Sequence, residues 1–93
     1  MKKSGTGKRK KVEFRLWSDQ GKDVCVAGTF NDWRPVQMKL KAEGTGPYAV
    51  TVLVPPGRHE YKFTVDDVWQ VDPENPETVP NAFGSMNSVV HVG

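Results

Sequence analysis

From position 12 onward, apolar residues recur at every second place rather than at helical spacing. Val12, Phe14 and Leu16 alternate with Glu13 and Arg15, which predicts a first strand over 12–16 with one buried face. Residues 24–29 are rich in β-branched side chains and predict a second. Met38 and Leu40 stand among lysines in 37–41, as in a short edge strand whose charges oppose pairing with another chain. Residues 48–54 predict a further strand, closed by Pro55-Pro56-Gly57, and 88–92 a short last one. Residues 58–71 read as one hairpin. Tyr61, Phe63 and Val65 alternate with Glu60, Lys62 and Thr64, Asp66-Asp67 makes the turn, and Val68-Trp69-Gln70-Val71 returns. Turn formers fill Asp19-Gln20-Gly21-Lys22, Phe30-Asn31-Asp32-Trp33-Arg34-Pro35 and Gly44-Thr45-Gly46-Pro47. The stretch 72–86, with its prolines, asparagines and a glycine, should hold little regular structure. The pattern predicts an all-β chain of seven to eight short strands, without a helix or an internal repeat, folded as an antiparallel β-sandwich.

The hairpin register places one ring. A short turn at Asp66-Asp67 sets Thr64 opposite Trp69, and opposed residues share a face. Trp69 therefore emerges on the outer, polar side, with Lys62 diagonal to it at roughly 7–8 Å. An indole beside an ammonium on an outer face adds little to a core. It suits a ligand that carries both an apolar face and hydroxyl groups, which is a sugar.

Composition narrows the alternatives. Ninety-three residues support a single domain and core. No apolar run approaches the roughly 20 residues of a membrane helix, and no apolar segment follows Met1-Lys2-Lys3 as in a signal peptide. The single Cys25 excludes an internal disulfide and a cysteine zinc cage, which makes a cytoplasmic setting the default. Alternating with Val24 and Val26, Cys25 reads as a small strand residue rather than a reactive thiol. Residues 1–11 carry six basic groups and no acid, whereas 12–93 carry seven basic against eleven acidic residues. The first segment reads as a disordered basic tail and the second as the folded domain. Such a tail can touch RNA, but no aromatic ribonucleoprotein motif accompanies it, so nucleic acid ranks last among partners.

Three tryptophans need a reason. Trp17, at the end of the first strand, is expected to pack. Trp33, in a turn-forming stretch, and Trp69 are expected to meet a ligand. A pyranose packs its C–H face on an indole, removing apolar area from water at about 25 cal/mol per Å². Its hydroxyls then need fixed donors and acceptors. Lys62 can donate, and Asn87, in Phe83-Gly84-Ser85-Met86-Asn87, can do both. Catalysis is harder to build. His59 and His91 are lone strand residues without metal-ligand spacing. The acids Asp66, Asp67, Asp72, Glu74 and Glu77 lie on loops that lack calcium-loop spacing and a deep cleft. The chain reads as a non-enzyme that needs no cofactor.

The motifs also carry a resemblance. Gly28-Thr29-Phe30-Asn31-Asp32-Trp33, Gly57-Arg58-His59-Glu60-Tyr61-Lys62-Phe63 with Val65-Asp66 and Trp69, and Asp72-Pro73 occur in family order and spacing. Over about 12–92 the chain resembles the family 48 carbohydrate-binding modules. These include the N-terminal domains of isoamylases and branching enzymes and the glycogen-binding domain of the AMP-activated protein kinase beta subunit. The resemblance implies an immunoglobulin-like β-sandwich that binds α-1,4-glucan (glycogen, starch or maltooligosaccharide) without chemistry. It places stacking rings at Trp33 and Trp69, polar contacts at Lys62, Ser85 and Asn87, and an apolar contact at Phe83. Two positions depart from the family pattern: the turn is Asp66-Asp67 rather than Asp-Gly, and Phe83 replaces an aliphatic residue. The expectation is a stand-alone monomeric binder with the two indoles exposed and roughly coplanar. Two other readings stay open: an accessory domain of a glycoside hydrolase family 13 debranching or branching enzyme acting in trans, and a protein-interaction sandwich without sugar binding.

Overall fold

A computed structural model describes residues 8–18, 22–42 and 45–93. Among the described residues the chain forms β1 (Lys10–Leu16), β2 (Val24–Gly28), a 3-10 turn (Thr29–Asn31), β3 (Val36–Gln37), β4 (Lys39–Ala42), β5 (Thr45–Val54), β6 (Gly57–Val65), β7 (Val68–Gln70), β8 (Thr78–Pro80) and β9 (Met86–Val92). All pairings among the described residues are antiparallel. One sheet has the order β1-β5-β4, and the other has β3-β2-β6-β9-β8 with β7 also on β6. This is the β-sandwich that the alternating pattern predicts.

The core lies between the sheets because each strand turns its apolar alternate inward. In the smaller sheet Val12, Phe14 and Leu16 lie across from Val52, Val50 and Tyr48. In the larger, Val24 and Val26 lie across from Val65 and Phe63. Phe14, Phe30 and Tyr61 form an aromatic centre, with ring centroids 5.4 Å apart for Phe14–Phe30 and 4.9 Å for Phe14–Tyr61. The Tyr61 hydroxyl donates to Asp72 Oδ2 at 2.7 Å and accepts from Asn75 Nδ2 at 3.1 Å, which satisfies a polar atom at the sandwich end. Burial first, and the Asp72 bond next, hold its pKa far above the ordinary value.

Several predicted boundaries move. The stretch 37–41 is not one strand: β3 pairs with β2 in the larger sheet, and β4 pairs with β5 in the smaller. The chain crosses between sheets at buried Met38, whose N–H bonds to Val24 O at 2.7 Å. A period-two pattern names the inward residues but not the sheet that receives them. The predicted loop at 44–47 is largely strand, since β5 begins at Thr45, paired with Ala42 across a bulge. Within 72–86, β8 pairs with the start of β9, and Pro80 is tolerated because β8 is an edge. β1 starts at Lys10, two residues before the expected domain start, because Lys10 and Lys11 pair with Val54 and Leu53. The expected turn over 19–21 and tail residues 1–7 lie outside the described residues. Trp17 does not pack: it is 60% exposed at the strand end.

Candidate functional site

The β6–β7 hairpin forms in the expected register, with Val65 opposite Val68 and Thr64 opposite Trp69. Asp66 and Asp67 both have positive φ, 50° and 67°, the two left-handed residues of a tight hairpin turn. Asp66 Oδ1 accepts the Asp23 N–H at 2.8 Å, which ties the turn to the start of β2. That bond, with Lys22 nearby, lowers the Asp66 pKa. Trp69 stands on the outer face of the larger sheet, 48% exposed.

Trp33 reaches the same face from the loop after β2. Gly28 permits that loop, because a Cβ there would lie 2.5 Å from both Glu60 O and the Phe30 ring. Asn31 then knots it: Oδ1 accepts the Gly28 N–H at 3.1 Å, and Nδ2 donates to Arg34 O at 2.8 Å. Asp32 and Trp33 follow with φ of 57° and 60°. A left-handed backbone costs an L-residue about 1–2 kcal/mol. Here the Trp33 N–H bond to Gly28 O, 2.9 Å, helps hold it. Strain held in this way at a half-buried aromatic outside the core points to a job for its ring.

The two rings are not coplanar, which corrects the sequence expectation. Their centroids lie 6.3 Å apart with the planes at 69°, an edge-to-face contact. The positive edge of one ring against the negative face of the other favours that geometry over a flat pair. Both rings remain on one side of the sandwich, and neither turns inward.

Lys62, expected at the surface, is buried at 8% exposure, as is Thr64. Both sides of β6 are therefore covered, the inner by the core and the outer by the indoles and a loop. Lys62 Nζ donates to Ser85 Oγ at 3.1 Å. Ser85 belongs to the β8–β9 hairpin, whose strands pair through Pro80 and Met86 around the loop 81–85. Asn87, buried on β9, donates from Nδ2 to Glu60 Oε1 at 2.9 Å. That bond, with Arg58 Nη1 at 3.1 Å from Oε2, keeps the Glu60 carboxyl below its usual range despite partial desolvation. Phe83, 93% exposed, stands at the loop tip.

Trp33, Lys62, Trp69, Phe83, Ser85 and Asn87, the six residues singled out from the sequence, line one open cavity of about 470 Å³. The seventh lining residue, Asn81, was missed. Its place at the head of a loop that ends in Gly84 was the available signal, since Asn side chains cap backbone turns.

Among the described residues no carboxylate or histidine lines this cavity, and Lys62 is its one titratable lining residue. Among the described residues no three His, Cys, Asp or Glu side chains converge as metal ligands would. An apolar floor of rings with an ammonium, a hydroxyl and amides at its rim offers both an apolar surface and hydrogen-bonding groups, the chemistry that a sugar presents in return. The chain belongs to the family of the glycogen recognition site of AMP-activated protein kinase, whose profile matches residues 11–93. It is thus a non-catalytic glycogen-binding module, in line with the resemblance carried by its motifs. It is 36% identical over 76 residues to the 5'-AMP-activated protein kinase subunit beta-2 of Mus musculus, covering 82% of this chain and 27% of the relative. Identity to subunit beta-1 of Sus scrofa is 36% over 77 residues, covering 82% of this chain and 59% of that relative. For subunit beta-1 of Bos taurus it is 38% over 77 residues, covering 82% and 27%. The chain thus spans between about a quarter and three-fifths of these relatives. No helix among the described residues is long and apolar enough to cross a membrane.

Proposed function

We propose that residues 10–93 act as a monomeric module that binds α-1,4-glucan of the glycogen or starch type in the cavity above the larger sheet. Trp33 and Trp69 stack on successive glucosyl units, and Phe83 packs against the exposed side of the chain. Lys62, Ser85 and Asn87 hydrogen-bond the ring hydroxyls. The observation that supports this most is the convergence of these six side chains, from three separate segments, on one cavity. The basic residues that precede β1 act as a tail that takes no part in sugar binding. The module works in the cytoplasm and brings a glycogen- or starch-metabolising enzyme, or a kinase complex like those of its named relatives, to the polymer.

The test is retention on immobilised glycogen together with a titration of maltoheptaose. A buried aromatic anchor contributes about 2 kcal/mol or more, so Trp69→Ala should weaken binding roughly thirtyfold. Its circular dichroism spectrum should stay unchanged, because the ring lies outside the core. Undiminished retention by this variant would refute the site.

A further inference from the structure

We infer that Asn81 is a positioning residue of this site: it shapes the loop 81–85 and fixes the direction in which the Ser85 hydroxyl donates. The inference rests on the glucan reading above and adds the hydrogen-bond polarity that the ligand must match.

Asn81 is half-buried, immediately after β8. Its backbone N–H closes the loop on Ser85 O at 2.9 Å, and its side chain fills the interior. Oδ1 accepts two backbone N–H groups, from Phe83 at 2.9 Å and Ser85 at 3.2 Å. Nδ2 donates to Ser85 Oγ at 2.9 Å and to Asn87 Oδ1 at 3.0 Å. One amide thereby touches three of the ligand-facing residues. Gly84 supplies the left-handed step that the loop needs, with φ of 81°.

The consequence lies at Ser85. A hydroxyl has two acceptor lone pairs and one donor hydrogen. Lys62 Nζ and Asn81 Nδ2 both donate to Ser85 Oγ, which occupies the two lone pairs. The hydroxyl hydrogen alone remains, and because Ser85 lines the cavity, that hydrogen is what the side chain can offer there. Ser85 is therefore a donor to the ligand and requires an oxygen acceptor there. Asn87 is polarised likewise: Asn81 donates to its Oδ1 while its Nδ2 donates to Glu60. It keeps one hydrogen and one lone pair for the sugar.

Two variants separate shape from polarity. Asn81→Ala removes both, whereas Asn81→Asp keeps an oxygen that accepts the Phe83 and Ser85 N–H groups. The introduced carboxylate has no hydrogen to give Ser85, so it draws the Ser85 O–H toward itself and away from the ligand. Amide hydrogen exchange at Phe83 and Ser85, read by NMR without ligand, should accelerate in Asn81→Ala and stay near wild type in Asn81→Asp. Maltoheptaose affinity should nevertheless fall about tenfold in both, the size of one net hydrogen bond to the ligand. Wild-type affinity in Asn81→Asp would overturn the polarity assignment, since a purely structural Asn81 predicts that result. Wild-type affinity and exchange in Asn81→Ala would overturn the positioning role while leaving the glucan reading intact. No binding of maltoheptaose by the wild-type protein would overturn both together.

Discussion

At the residue scale, the site depends on buried polar atoms whose bonding capacity is almost spent. Glu60 does not line the cavity, yet it accepts from Asn87, which does. Its folded pKa is depressed by Asn87 first and then by Arg58, against the opposing effect of burial. A depressed carboxylate contributes above its unfolded pKa, and the contribution is lost as pH falls through the folded value. Maltoheptaose affinity should hence be flat through neutral pH and decline only in acid, below the ordinary glutamate value of about 4.3. A titration calorimetry series from pH 7 to about 3.5 reads this, and a midpoint near pH 6 would point to some other group. How far this scale could be read beforehand differs by residue. The placement of Trp33 and Trp69 outside the core was legible because a large ring in a turn or on a polar face adds little to the interior. The burial of Lys62 was not, since it depends on rings and a loop far away in sequence. Trp17 was misjudged for the same cause: whether a strand-end ring packs is decided by what the fold brings next to it.

At the element scale, hairpins set the geometry. The β6–β7 turn puts two L-residues at positive φ. Asp66 is tied to β2 through its side chain, but Asp67 is exposed and gains no comparable bond among those described. Asp67→Gly should thus relieve left-handed strain. The gain exceeds the added freedom of the unfolded glycine, leaving a net stabilisation of about 0.5 kcal/mol. Urea denaturation reads it as a higher midpoint with an unchanged slope, and a lower midpoint would show that the Asp67 side chain matters to the turn. The β6–β7 register was readable because turn and alternation agree. The division of 36–42 between two sheets was not, because crossing at Met38 leaves the inward pattern intact. β8 escaped notice because three prolines conceal a strand of three residues that takes its partner from β9.

At the scale of the whole molecule, the sandwich keeps its core and its ligand surface on opposite sides of a single sheet. β6 runs through both: Tyr61 and Phe63 face inward, while Lys62 and Thr64 face the cavity side. Gly28, likewise, leaves no room for a Cβ between the Glu60 carbonyl and the Phe30 ring while opening the loop that carries Trp33. The sandwich class was legible from strand rhythm alone, but the mutual angle of the rings was not, because it is set by loops from distant parts of the chain. The 69° angle has a consequence of its own. A flat ribbon such as a β-1,4-linked glucan keeps its sugar faces in nearly one plane and can lie on only one ring at a time. In the proposed complex an α-1,4-linked chain, which rotates each unit against the last, offers neighbouring faces to both rings at once. The inclined indoles then act as a gauge of polymer pitch, and cellohexaose should leave the tryptophan fluorescence unmoved at concentrations where maltoheptaose saturates it.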